Sequence, residues 1–199
     1  MTLPALNPAI RFGHFGINCF NLEKMEAFYK RAFGFFETDR GYVEPLDLTL
    51  VFMTLDPSEH HQMVLGSGRK EGELRSDAFI GGGLGSAINQ MSFELHSLDE
   101  MRAVRDRFAE FGITNGSPIN HGNAWALYIR DPEGNPIELY LDTPWYTPQP
   151  CGVPLDLSLS NDEIYLLTEE MCRSRPGFEP ADVWSARVKA KMLEHRAKA

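Results

Sequence analysis

The sequence predicts an α+β fold in which one strand–helix–strands unit is used twice and followed by a helical tail. Three observations predict it. In both halves an apolar strand runs into a capped amphipathic helix. The strands after each helix lie too close together in sequence for helical crossovers, which implies mostly antiparallel pairing rather than a doubly wound nucleotide fold. From Pro144 onward the chain changes character, to prolines spaced between separately capped helices.

Residues 11–20 (RFGHFGINCF) read as the first strand. Asn21 is a good N-cap, and Leu22, Met25, Phe28, Ala32 and Phe33 then recur on one helical face. Gly34 is placed to end that helix in the left-handed conformation. Residues 48–55 (LTLVFMTL) and 61–65 (HQMVL) read as strands. The second half repeats the grammar. Residues 88–96 (INQMSFELH) form a strand with Met91, Phe93 and Leu95 on one side, and Ser97 with Glu100 spells a capping box. Leu98, Met101, Val104, Phe108 and Phe111 share a helical face that Gly112 closes. Two strands follow, residues 124–129 (AWALYI) and 136–141 (PIELYL), separated by the turn Asp131-Pro132-Glu133-Gly134-Asn135. His14 stands seven residues before Asn21, and Gln90 seven before Ser97, so the halves align across strand and cap without a gap.

Between the modules, residues 66–86 carry seven glycines and much charge, and read as a long loop or lid. Gly81-Gly82-Gly83 lacks the GK[ST] or GxGxxG context of a phosphate cradle, so no phosphate site is expected there. In the tail, Pro148-Gln149-Pro150 makes an extended crossing. Ser160 and Glu163 form a second capping box opening a helix to about Cys172. Pro180 suits the first turn of a last helix with Val183, Trp184, Val188 and Met192 on one face. These helices are expected to clamp over the barrel or against a second subunit. The expected organisation is thus a domain over 10–146, with modules at about 10–65 and 88–142, and a tail over 147–199.

Composition narrows the function. The 199 residues carry 19 basic and 28 acidic side chains, a formal charge of −9, which argues against non-specific binding to nucleic acid or to an anionic membrane. No apolar run approaches the roughly 18–20 residues of a membrane helix. The first ten residues lack the basic and apolar regions of a secretion signal. Three cysteines without CxxC spacing fit a reduced, cytoplasmic protein.

Two modules with a histidine in the first strand, the pair His60-His61 before an apolar strand, and the stretch from His121-Gly122 through Tyr128-Ile129-Arg130-Asp131-Pro132-Glu133-Gly134-Asn135 to Glu138-Leu139-Tyr140 resemble the vicinal oxygen chelate superfamily. The likeness covers roughly residues 10–146. Within the superfamily it is nearest to the small type I extradiol ring-cleavage dioxygenases. The Asp-Pro-Glu-Gly-Asn turn and following strand are its most specific part, although dioxygenases, glyoxalases and antibiotic-binding proteins share them.

The resemblance implies two βαβββ modules forming a curved, incomplete barrel that cups a metal. It matches His14 and Glu138 to metal ligands and places Gln90 where an extradiol enzyme has its second ligating histidine. It matches His61 to the acid–base histidine, and Tyr128 and His121 to residues that orient substrate oxygens. It implies Fe(II), with Mn, Zn or Ni as alternatives, a catechol-like aromatic diol and O2 as substrates, and a homodimer. A glyoxalase-like isomerase or lyase with His61 as fourth ligand, or a metal-free small-molecule binder, would use the same cup.

The residues themselves support the same set. The repeat puts His14 and Gln90 at equivalent strand positions and makes the 61–65 strand the counterpart of the Glu138 strand. An unpartnered buried carboxylate at Glu138 would cost several kcal/mol. The bland alternatives are a core histidine at His14, an inward polar residue at Gln90, a solvated turn at His60-His61 and strand packing at Tyr128.

Overall fold

The computed structural model describes residues 13–69 and 90–198. The first module runs β1 (Phe15–Asn18), α1 (Leu22–Phe28), a wider π-helical turn (Tyr29–Phe33), β2 (Phe36–Val43), β3 (Leu48–Thr54) and β4 (Met63–Gly66). The second runs β5 (Met91–Glu94), α2 (Leu98–Ala109), β6 (Ser117–Asn120), β7 (Ala124–Arg130) and β8 (Pro136–Asp142). The tail adds β9 (Trp145–Tyr146), β10 (Val153–Pro154), α3 (Asn161–Arg173), β11 (Glu179–Pro180) and α4 (Ala181–Lys198). The α+β class and the repeated βαβββ unit are therefore present, with no closed barrel.

One sheet has the order β1-β4-β3-β2 and the other β10-β6-β7-β8-β5. Each contains one parallel pair, β1 with β4 and β5 with β8, and is otherwise antiparallel. Side chains alternate across a strand. On one face of the first sheet Val51, Met53, Met63 and Leu65 are fully buried. On the equivalent face of the second lie Trp125, Leu127, Ile129, Ile137, Leu139 and Leu141. The opposite faces carry the polar candidates.

Between the sheets, the helices share one aromatic core. The Phe28 ring lies 5.9 Å from that of Phe108 and 5.5 Å from that of Phe111. Across the same boundary, the buried Glu133 carboxylate accepts the backbone N–H groups of Phe20 at 2.9 Å and Asn21 at 2.6 Å. Buried Asp131 accepts the Tyr29 hydroxyl at 3.0 Å. Part of the most family-specific stretch thus acts as a lock between modules.

Several local expectations hold in detail. Asn21 caps α1 by accepting the Lys24 N–H, and Gly34 has φ 84°. The Ser160–Glu163 capping box is complete. Others are corrected. Ser97 accepts the Glu100 N–H, but the Glu100 carboxylate takes the His96 N–H rather than that of the cap, so the box is only half made. The 61–65 strand begins at Met63, leaving His60 and His61 in the preceding turn. The last helix starts at Ala181, after Pro180. Strands β2, β6, β9, β10 and β11 were not legible, being polar, short or proline-bearing. The expected lid falls mostly outside the described residues, and Gly81-Gly82-Gly83 wholly so.

The tail does clamp, and it does so on the helix-covered side. Arg102 of α2 donates to the carbonyls of Leu157 at 2.9 Å and Leu159 at 2.7 Å, and to Asn161 Oδ1 at 2.6 Å. Fully buried Thr168 of α3 accepts from Asn120 Nδ2 at 2.8 Å and Trp125 Nε1 at 2.9 Å. No helix among the described residues is long and apolar enough to cross a membrane.

Candidate functional site

Glu138 is the organising residue. It sits on β8 directly opposite Ser92 on β5 and Tyr128 on β7, so the pleat turns all three to one face. The ten residues separating Tyr128 from Glu138 are thereby explained, because a hairpin with a tight turn between Arg130 and Pro136 makes them cross-strand partners. Gln90 precedes Ser92 by two positions and shares its face.

Three neutral groups donate to the half-buried carboxylate. Tyr128 donates its hydroxyl to Oε1 at 2.6 Å, Gln90 its amide N–H to Oε2 at 2.5 Å, and Ser92 its hydroxyl to Oε2 at 2.6 Å. Burial, followed by the Glu138 hydrogen bond and charge, raises the Tyr128 pKa and keeps the phenol protonated at neutral pH. Behind Tyr128, His121 Nε2 is 2.9 Å from the phenol oxygen, and His121 Nδ1 is 2.5 Å from the Cys151 carbonyl oxygen. Gly122 makes this approach possible. Its φ is +78°, and a Cβ there would stand 2.4 Å from Thr147 Cγ2.

The other candidates form a second group. The rings of His14 and His61 are 4.1 Å apart, and His61 Nδ1 is 2.9 Å from His60 Nδ1. Phe52 of β3 lies against both His60 and His61. Burial, and then the charges of His14 and His60, lower the His61 pKa below the usual histidine value. The ring is therefore neutral, and a proton acceptor, at neutral pH.

The structure thus unites Gln90, Glu138, Tyr128 and His121 in one hydrogen-bonded network, and His14 with His61 in a pair. Among the described residues no three His, Cys, Asp or Glu side chains gather as a metal cluster. A set in which His61 serves as a further ligand is accordingly not preassembled. Sequence reasoning missed Ser92 and the Cys151 carbonyl. The alternation of Gln90, Ser92 and Glu94 with Met91, Phe93 and Leu95 carried a signal for the first. Nothing local signals the second.

In kind, the donors fit a hard divalent cation: an imidazole nitrogen, an amide oxygen and a carboxylate. A carboxylate has about four acceptor positions. Glu138 gives three of them to neutral donors, which hold the carboxylate in place. Gln90 here presents its NH2 group. Turning the amide over would bring its oxygen against the carboxylate, so holding a cation through Gln90 would require that turn.

Comparison with known proteins agrees with this architecture. A model of the Glyoxalase/Bleomycin resistance protein/Dioxygenase superfamily matches residues 11–139, well over half of the chain. Biphenyl-2,3-diol 1,2-dioxygenase 3 of Rhodococcus globerulus is 29% identical over 136 residues, covering 66% of this chain and 63% of that protein. The chain therefore spans less than two thirds of the length of that relative. Among solved structures, a glyoxylase/bleomycin resistance protein/dioxygenase domain from Frankia sp. EAN1pec superposes with a TM-score of 0.54 at 19% identity, covering 65% of this chain and 95% of that one. A variant of the fosfomycin resistance protein FosX from Listeria monocytogenes, complexed with Mn(II), gives a TM-score of 0.50 at 17% identity, covering 66% and 91%. These two likenesses show the fold. With the βαβββ repeat, the open polar face and the match over residues 11–139 together, the chain belongs to the glyoxalase/bleomycin resistance protein/dioxygenase superfamily.

Proposed function

We propose that this protein is an extradiol-type ring-cleavage dioxygenase acting on a catechol-like aromatic diol with O2. The observation that carries the proposal is the convergence of Gln90, Ser92 and Tyr128 on Glu138, with His121 behind Tyr128. The likeness to a diol dioxygenase supports it.

In this reading His14, Gln90 and Glu138 would hold Fe(II), with Mn, Zn or Ni as alternatives. Held there, the cation would supply Lewis acidity toward the diol hydroxyls and a common meeting point for ring and O2. His61, neutral at neutral pH, accepts the proton of a diol hydroxyl and returns it later. Tyr128 keeps its proton, donates it in a hydrogen bond to Glu138, and offers its oxygen to orient the substrate, while His121 holds the phenol in place. Ser92 fixes the Glu138 carboxylate. The amide at Gln90 is a weaker donor than imidazole, so affinity for a soft or borderline metal falls relative to a two-histidine site.

Anaerobic reconstitution with Fe(II), followed by a panel of catechols and O2, is expected to give oxygen uptake and a yellow ring-opened product. Iron-loaded protein that consumes no O2 with any catechol would refute the proposal. Gln90→His is expected to raise metal affinity and ring cleavage together.

A metal-free small-molecule binder is the second reading. It is favoured by the three donors already bound to Glu138 and by the absence of a His/Cys/Asp/Glu trio among the described residues. Elemental analysis of anaerobically purified protein separates the two. The binder predicts no bound metal and no shift in Tm on adding Fe, Mn, Ni or Zn.

A further inference from the structure

We infer that Gln149, in the crossing that follows the domain, is a positioning residue that commits His121 to work through Nε2. The crossing lies beyond the 11–139 region matched by the family model. It returns to the second sheet, where Val153 and Pro154 of β10 pair with β6. On the way it presents the carbonyl of buried Cys151 to the His121 ring, 2.5 Å from Nδ1.

A carbonyl oxygen only accepts hydrogen bonds, so Nδ1 must carry a proton whenever this contact is made. That fixes the tautomer. In the neutral ring Nε2 is then bare and competes with Glu138 for the one phenol proton, and in the charged ring Nε2 donates to the phenol oxygen. Either way Nε2 is the nitrogen that exchanges a proton, and it faces the Tyr128 oxygen at 2.9 Å. Unconstrained histidine favours the opposite neutral tautomer, so the environment must impose this one.

Gln149 ties both halves of the contact together. Its Nε2 donates to the His121 carbonyl at 2.8 Å, to Asn123 Oδ1 at 2.8 Å and, more weakly, to the Thr147 carbonyl at 3.2 Å. Its Oε1 accepts the Cys151 N–H at 2.9 Å. One amide therefore joins the backbone that carries the imidazole to the backbone that carries its acceptor. Beyond it, the two backbones are joined by the His121 ring itself and by the β6–β10 pairing that starts at Asn120 and Val153.

The use of this nitrogen in catalysis rests on the ring-cleavage reading, but the assignment can be tested without it. Nitrogen-15 NMR of the histidine side chains reads each ring nitrogen directly. In the wild-type chain the His121 Nδ1 signal is expected in the protonated range. In Gln149→Ala a second His121 form with bare Nδ1 and protonated Nε2 is expected, while His96 serves as an unchanged internal control. Gln149→Glu keeps the acceptor for the Cys151 N–H but points an oxygen at three other oxygens. It is expected to behave like Gln149→Ala, and it decides alone if the alanine variant does not fold.

A wild-type His121 with bare Nδ1, or Nδ1 protonated alone in either folded variant, would overturn the inference. Failure to cleave a diol would refute the dioxygenase reading and leave this measurement intact.

Discussion

At the scale of single residues, the chemistry of this chain depends on what each side chain can and cannot shed. Glu138 accepts from three neutral donors, and Tyr128 keeps its proton beside it. The cysteines follow the same logic. Burial, with the Glu133 and Asp131 charges behind it, pushes the Cys19 thiol up to about 12, and burial pushes Cys172 up to about 11. Because the thiolate is the nucleophile, a raised pKa means a protonated, unreactive sulfur at pH 8. Relative to a thiol at the reference value of 9.0, Cys19 presents roughly a thousandfold less thiolate. Iodoacetamide labelling of the folded protein at pH 8, read by mass spectrometry, is expected to spare Cys19 and Cys172 until denaturant is added. Rapid labelling of either in the native state would contradict this account.

Among the elements, hairpin β7–β8 and strand β5 build the site, and helix α3 holds their other side. Thr168 is the point of attachment. Its hydroxyl donates to the Ile164 carbonyl while accepting from Asn120 and Trp125, and it is fully buried. Thr168→Val keeps the shape but orphans two buried donors. Each such group costs about 1–3 kcal/mol, so a loss of about 2–6 kcal/mol in urea-unfolding stability is expected. A loss below 0.5 kcal/mol would show that α3 does not depend on these bonds. Much of this scale was legible in advance. The caps at Asn21 and Ser160, the left-handed Gly34 and the turn after Arg130 were read from residue type, since each answers a local backbone need. The half-made box at Ser97 was not. His96, one position earlier, presents the N–H that Glu100 takes, and which N–H a flexible carboxylate chooses depends on the path of the incoming chain.

For the whole molecule, two modules become one body through shared aromatic packing and a pair of buried carboxylates. Glu133 reaches from the second module to the start of α1, where it satisfies two backbone N–H groups that α1 leaves without helical partners. Hydrogen bonds to a charged group contribute about 1.5–3 kcal/mol each. Glu133→Ala is therefore expected to cost about 3–6 kcal/mol, with the midpoint of urea unfolding falling. Because Phe28, Phe108 and Phe111 form one core, the wild-type chain is expected to unfold in a single transition by circular dichroism and by tryptophan fluorescence. Two separated transitions would mean that the modules are independent.

What the sequence determined by itself was the repeat. Alternation, caps and turn residues act over a few positions, so they were enough to give the fold class and to align His14 with Gln90, while Glu138, Tyr128 and His121 were singled out by the resemblance to the superfamily. The tertiary structure alone decided how those residues meet. It made Ser92 and Tyr128 the flanking partners of Glu138, set His14 against His61, and brought the Cys151 carbonyl thirty residues along the chain to His121. Such meetings depend on strand register and on the path of the tail, and both are fixed by the packing of the entire chain rather than by any neighbour in sequence.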